Sequence, residues 1–116
     1  AERGRRRYSG EPTATLLDVE GLDIEVVYVE RDGVTIELIG YHGPGTVPVV
    51  ATPMNHPGLT HLSVFVRDFD GVVADVEAHG GRIEAGSAVV FEWGNRGIMA
   101  LDPDGVRIEL IEERPR

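Results

Sequence analysis

Asp104-Gly105-Val106-Arg107-Ile108-Glu109-Leu110-Ile111 repeats, at seven positions of eight, the earlier stretch Asp32-Gly33-Val34-Thr35-Ile36-Glu37-Leu38-Ile39. Glu109 follows Glu37 by 72 residues, and at that offset Val26-Val27-Tyr28-Val29 falls on Ile98-Met99-Ala100-Leu101. An Asp-Gly pair between two strand-like runs is a strong short-range hairpin signal, because both turn residues tolerate positive φ. Each copy is therefore expected to form strand, tight turn, strand. A repeat of whole hairpins makes duplicated modules the starting hypothesis for the fold.

Around the second hairpin the expected module is complete. Residues 59–66 alternate as a strand does, with Leu62, Val64 and Val66 on one face and His61, Ser63 and Phe65 on the other. Asp68 or Asp70 suits the N-cap of a helix whose apolar stripe is Phe69, Val72, Val73 and Val76, and Gly80-Gly81 suits its end. A weaker strand over 82–92 and strands at 96–102 and 105–112 complete the order β-α-β-β-β. The first copy is shorter. At the same offset His61 has its counterpart ahead of the first residue, so the expectation is a first module without its N-terminal strand and at least part of its helix. That strand would be lost from the sequence or supplied by another chain. Residues 11–19 suit a short helix before the strand at 23–30. The expected layout is one domain, with residues 1–42 as the incomplete first module, a Pro/Gly-rich linker at 43–58, and 59–116 as the second module.

Composition narrows the chemistry. The chain has 116 residues, no cysteine and a formal net charge of -9. Such a charge disfavours nucleic acid as a partner. No apolar run is long enough to span a bilayer, and the lack of cysteine makes the cytoplasm the expected address. All the basic residues are arginine, so neither a Schiff-base lysine nor a cysteine nucleophile is present. The basic run Arg3 to Arg7 is read as a solvated terminal segment.

These motifs, in this order, resemble the vicinal oxygen chelate superfamily, the glyoxalase/bleomycin-resistance/extradiol-dioxygenase proteins. The residues that carry the resemblance are Pro57-Gly58-Leu59-Thr60-His61-Leu62, Asp102 to Leu110, and Val34 to Leu38. Glyoxalase I and methylmalonyl-CoA epimerase are the most similar in layout. The resemblance implies an α+β fold of paired βαβββ modules forming a half-open barrel around a divalent metal, with ligands on the first and last strand of each module. Carried over, the metal ligands are Glu37, His61 and Glu109, and the fourth falls on the strand this sequence lacks. Strand alternation agrees in placing Glu37 opposite Val34, Ile36 and Leu38, and Glu109 opposite Val106, Ile108 and Leu110, away from the helix-packed face. One imidazole and two carboxylates suit Zn, Ni, Co, Mn or Fe.

Three functions follow from the resemblance. The leading one is a metal-dependent lyase or isomerase/epimerase that acts on a small oxygen-rich substrate through an enolate-type intermediate, with Glu37 or Glu109 as the catalytic base. The others are an extradiol dioxygenase and a non-catalytic small-molecule or antibiotic-binding protein. Among the remaining candidates, His79 reads as a helix C-cap and His42 and His56 as surface loop. Tyr28, Phe65, Met99 and Trp93 read as core before cavity lining, and Arg96 and Arg107 as exposed arginines before anion binders. The uncovered sheet edge and apolar face of the short module lead to an expected homodimer.

Overall fold

The computed structural model describes residues 1–114. Its elements run β1 (Glu2–Ser9), α1 (Thr13–Leu17), β2 (Asp23–Arg31), β3 (Val34–Gly43), β4 (Leu62–Val66), α2 (Phe69–Ala78), β5 (Arg82–Ile83), β6 (Val89–Val90), β7 (Arg96–Leu101) and β8 (Arg107–Glu112). This is a mixed α+β architecture with open sheets, ordered β1-β2-β3 and β4-β8-β7-β5, with β6 also on β7. Two compact units divide the chain between Val47 and Pro48.

In the second unit, β4 lies parallel to β8, and β7 is antiparallel to both β8 and β5. Asp68 caps α2, its Oδ1 accepting a hydrogen bond from the Gly71 amide at 3.1 Å. The helix then lays Phe69, Val72, Val73 and Val76 on the sheet face formed by Val66, Ile98, Ala100, Ile108 and Leu110. Ala100 and Leu110 are 1% and 3% exposed. Burying a leucine this completely contributes roughly 1.5–3 kcal/mol. The expected single strand over 82–92 is instead two short pieces, β5 and β6. Ser87 separates them, its hydroxyl bonding back to the Glu84 carbonyl at 2.7 Å and holding a turn.

The first unit brings three corrections. The Arg3 to Arg7 run is not a solvated tail: it forms most of β1, antiparallel to β2. Alternation puts Arg3, Arg5 and Arg7 on one face, where they pair with Glu30, Glu25 and Asp23 at 3.0, 3.0 and 2.7 Å. β1 bonds to β2 as β5 bonds to β7, so it answers to the module's second strand. As the repeat predicts, no counterpart of β4 or α2 stands against β3 among the described residues.

The second correction concerns the turns. Arg31 pairs with Val34 across a two-residue turn, Asp32 at φ 52 and Gly33 at φ 78, which suits a type I′ turn. In the second unit Leu101 pairs with Arg107, and Asp102 donates to the Val106 carbonyl across a three-residue loop, Pro103-Asp104-Gly105. Pro103 is the additional residue. Consequently Glu37 faces Tyr28 while Glu109 faces Met99, and the strands before the turns correspond at 71 residues rather than 72. A single-residue slip exchanges the faces of a strand, so this assignment matters.

The third correction concerns which face is covered. The buried cluster of the first unit is Leu22, Ile24 and Val26, with Ala14 and Val19 from the α1 region and Tyr8, Tyr28 and Tyr41. Ile24 and Tyr28 pair with Tyr41 and Glu37, so this core lies on the Glu37 face. Val34, Ile36 and Leu38, expected under a helix, are 61%, 40% and 53% exposed. The α2-like helix that covers their equivalents is missing from this unit, and the short α1 closes the other side. Among the described residues no helix is long and apolar enough to cross a membrane.

Candidate functional site

The face of the second sheet that turns away from α2 carries the site. Parallel pairing sets Ser63 beside Glu109, and alternation adds His61 at the mouth of β4. His61 Nε2 lies 3.9 Å from Glu109 Oε2, with each side chain 30% exposed. That gap is too long for a hydrogen bond. The far side of each group is held. Thr60 Oγ1 is 2.8 Å from His61 Nδ1, and the Ser63 hydroxyl donates to Glu109 Oε1 at 2.7 Å. With Nδ1–H donating to Thr60, the Nε2 lone pair and the second carboxylate oxygen are left facing each other.

This pair fits a divalent ion. Two ligand bonds of about 2.0–2.2 Å can span a donor separation of up to about 4.2 Å, which includes the observed gap. Metal-bound histidines ordinarily use their second nitrogen in a hydrogen bond, and the Thr60 hydroxyl stands 2.8 Å from that nitrogen here. Glu37 is exposed on β3 of the first unit, opposite Tyr28. Tyr28 shares a 3.1 Å hydroxyl–hydroxyl hydrogen bond with Tyr8, which holds its phenol above the ordinary value, with burial and the Glu37 charge adding to the shift. Among the described residues no three His, Asp or Glu side chains gather as a ligand cluster.

The other candidates take various places. His79 caps α2, its Nδ1 2.7 Å from the Asp75 carbonyl, in the capping role expected. His42 lies within β3, so the linker begins later than its sequence suggests, and His56 is exposed with Nδ1 2.8 Å from the Pro57 carbonyl. Trp93 stacks on Phe91 at 5.2 Å and is 54% exposed, and Phe65 is 63% exposed, so neither is core. Arg96 is no free anion binder. Its guanidinium pairs with Asp70 at 2.9 Å and Glu112 at 2.8 Å and lies 4.6 Å over the Phe69 ring. The same contact holds the Glu112 carboxyl below its usual range, first through the Arg96 side chain and then through the Arg96 backbone amide.

A cleft of about 680 Å³ opens beside His61, walled by linker residues 49–52, the Pro103–Val106 turn and the starts of β4, β5 and β8. It includes Arg82 and Arg107. The sequence reading passed over Thr60, Ser63 and Arg82. Ser63 was legible as the next same-face residue after His61, whereas Arg82 depends on a register that only the structure supplies.

Comparison with known proteins bears on this geometry. The model of the Glyoxalase/Bleomycin resistance protein/Dioxygenase superfamily matches residues 5–110. A crystal structure of a glyoxalase family protein from Bacillus cereus superposes with a TM-score of 0.80 at 26% identity, covering 98% of this chain and 78% of that one. The structure of SMU.1112c shares the fold, with a TM-score of 0.66 at 19% identity over 97% of this chain and 79% of that one. The chain is also 31% identical over 104 residues to a cell division protein FtsQ from Hahella chejuensis (strain KCTC 2396). That match takes in 86% of this chain but spans only 31% of the relative's length.

Proposed function

Because the chain belongs to the glyoxalase/bleomycin resistance/dioxygenase superfamily, we propose that it is a divalent-metal-dependent lyase or isomerase acting on a small, oxygen-rich substrate. The observation that carries this reading is the His61–Glu109 pair, with Nε2 and Oε2 left facing each other by Thr60 and Ser63. His61 and Glu109 would hold the ion. A bound ion of this kind supplies Lewis acidity to a carbonyl oxygen, which makes an adjacent C–H bond acidic.

The protein's own groups do the rest. A carboxylate oxygen of Glu37 or Glu109 accepts the proton from the carbon next to the carbonyl and returns it to that carbon or its neighbour. The electron pair of the broken C–H bond passes to the carbonyl, so charge and protons balance over the cycle. The Ser63 hydroxyl orients Glu109 by holding Oε1, leaving Oε2 turned toward His61. Met99, opposite Glu109 and half-buried, places an apolar neighbour beside the carboxylate.

A second reading, non-catalytic binding of a small molecule, is favoured by the cleft beside His61, whose walls include Val50, Leu59 and Leu101. Elemental analysis after reconstitution with Zn, Ni, Co, Mn and Fe separates the two. The metal reading expects about one equivalent per chain, lost in His61→Ala. No retained metal in the wild type overturns it in favour of the binding protein. We place the protein in the cytoplasm, as a homodimer joined through the exposed Val34, Ile36 and Leu38 row, with a small molecule and not nucleic acid as its ligand.

A further inference from the structure

We propose that the cleft beside His61 is an anion-recognition subsite, in which Arg82 and Arg107 together grip the carboxylate or phosphate of an organic anion. The argument starts from register. Arg82 stands directly opposite Leu101, and Leu101 directly opposite Arg107. Residues directly opposite on neighbouring strands project to the same side of a sheet. Ile83 and Ala100, the next pair along, belong to the core under α2. Arg82, Leu101 and Arg107 therefore form a row on the opposite face, and all three line the cleft. The two arginines are two strand spacings apart, about 10 Å, a distance their long side chains can close around one small anion.

Neither arginine of this row has a carboxylate partner among the described residues, although most of the chain's other arginines do. Arg3, Arg5, Arg7, Arg31, Arg67 and Arg96 all form ion pairs. Among the described residues neither Arg82 nor Arg107 does, and the Arg107 guanidinium hydrogen-bonds only to Met54 Sδ, at 3.6 Å. This occurs in a chain with 20 acidic side chains and 11 basic ones. Glu84 and Asp104 also line the cleft, yet neither is within ion-pairing distance of these guanidinium groups. Free guanidinium forks match a carboxylate or phosphate with paired, charge-assisted hydrogen bonds. Leu59 and Leu101 beside them offer an apolar surface to the remainder of the ligand.

His61 lines the same cleft, so an anion seated there reaches toward the His61–Glu109 pair. This consequence rests on the proposed function and names its substrate as an organic anion. Binding of the anion itself needs no metal.

The test is calorimetric titration of chelator-treated, full-length protein with phenyl phosphate, using benzyl alcohol as the uncharged comparison. The expected result is saturable one-site binding of phenyl phosphate, at least tenfold tighter than benzyl alcohol. Arg82→Gln and Arg107→Gln should each weaken it at least tenfold, while Arg31→Gln leaves it unchanged. Circular dichroism melts verify that the variants remain folded, as expected for side chains without ion-pair partners. Failure to saturate up to about 10 mM overturns the proposal, as does an unchanged affinity in both arginine variants. Metal retention is measured on the same variants. Phenyl phosphate binding in a protein that never retains metal sinks the catalytic reading and leaves the anion site standing. The reverse pattern, metal without anion binding, sinks only the anion site.

Discussion

Leu110 and Leu38 occupy the same place in the repeated sequence, yet the structure assigns them very different energies. Leu110 is 3% exposed beneath α2, and Leu38 is 53% exposed on β3. Truncation to alanine removes the equivalent of three methylene groups, worth roughly 2.4 kcal/mol when fully buried at about 0.8 kcal/mol each. At Leu110 the rigid packing of Phe69, Val73 and Ala100 leaves a cavity behind, raising the expected loss to about 3–4 kcal/mol. At Leu38 half of the side chain is already in water, so the transfer loss falls to roughly 1 kcal/mol, and water replaces the missing atoms without a cavity. Leu110→Ala should therefore cost about 2 kcal/mol more than Leu38→Ala. Urea unfolding followed by far-ultraviolet circular dichroism measures both in the Ile36→Arg background, which leaves Leu38 uncovered by a second chain, and the single tryptophan, Trp93, reports on the second unit separately. Equal losses, or a larger one at Leu38, would refute the claim that only the second copy of the repeat has its apolar face covered.

Three further outcomes follow from the same structure. Glu112 titrates below its ordinary value of 4.5 in the folded protein because Arg96 binds its charged form, so its contribution is fully present above that value and is lost as pH falls through the lowered one. The midpoint of thermal unfolding should thus fall less steeply below pH 4.5 in Glu112→Gln than in the wild type, and parallel curves would remove Arg96–Glu112 from the acid response. Light scattering coupled to size exclusion should give twice the 12.6 kDa chain mass for the wild type and a single chain for Ile36→Arg; a wild-type monomer at micromolar concentration ends the dimer proposal. In metal-binding titrations Glu109→Gln should cost more affinity than Glu37→Gln, with Ser63→Ala reducing it about 10–100-fold, and an unchanged affinity in Ser63→Ala would show that the Ser63 contact does not orient a ligand.

Much of the second unit was legible because its signals are local. The Asp68 cap, the Val72, Val73 and Val76 stripe and the alternation through Glu109 each report a structure formed within a few residues. Alternation also put His61 and Glu109 on one face, which their 3.9 Å approach matches. β1 was not legible for the opposite reason. Its Glu2–Ser9 sequence carries almost no apolar pattern, and its strand is held to partners 16 to 27 residues away through paired charges. Arginine alternation has a period of two, as a strand requires, but no hydrophobic signal marks it as one. The length of the second turn was hidden too, because Asp-Gly appears in both copies and only Pro103 distinguishes a three-residue loop from a two-residue one.

The near-identical sequence around the two glutamates conceals a difference in chemistry. Glu109 is gripped at one oxygen by Ser63 and faces an imidazole with the other, so its geometry is largely set before any ligand arrives. Glu37 has Tyr28 opposite it and is exposed, and among the described residues it makes no ion pair. A restrained carboxylate loses little freedom on binding a cation, while an unrestrained one must give up rotamers to do so. Of the two acids, then, Glu109 is the one whose carboxylate is held in place. One motif thus yields a restrained and an unrestrained carboxylate because its neighbours differ.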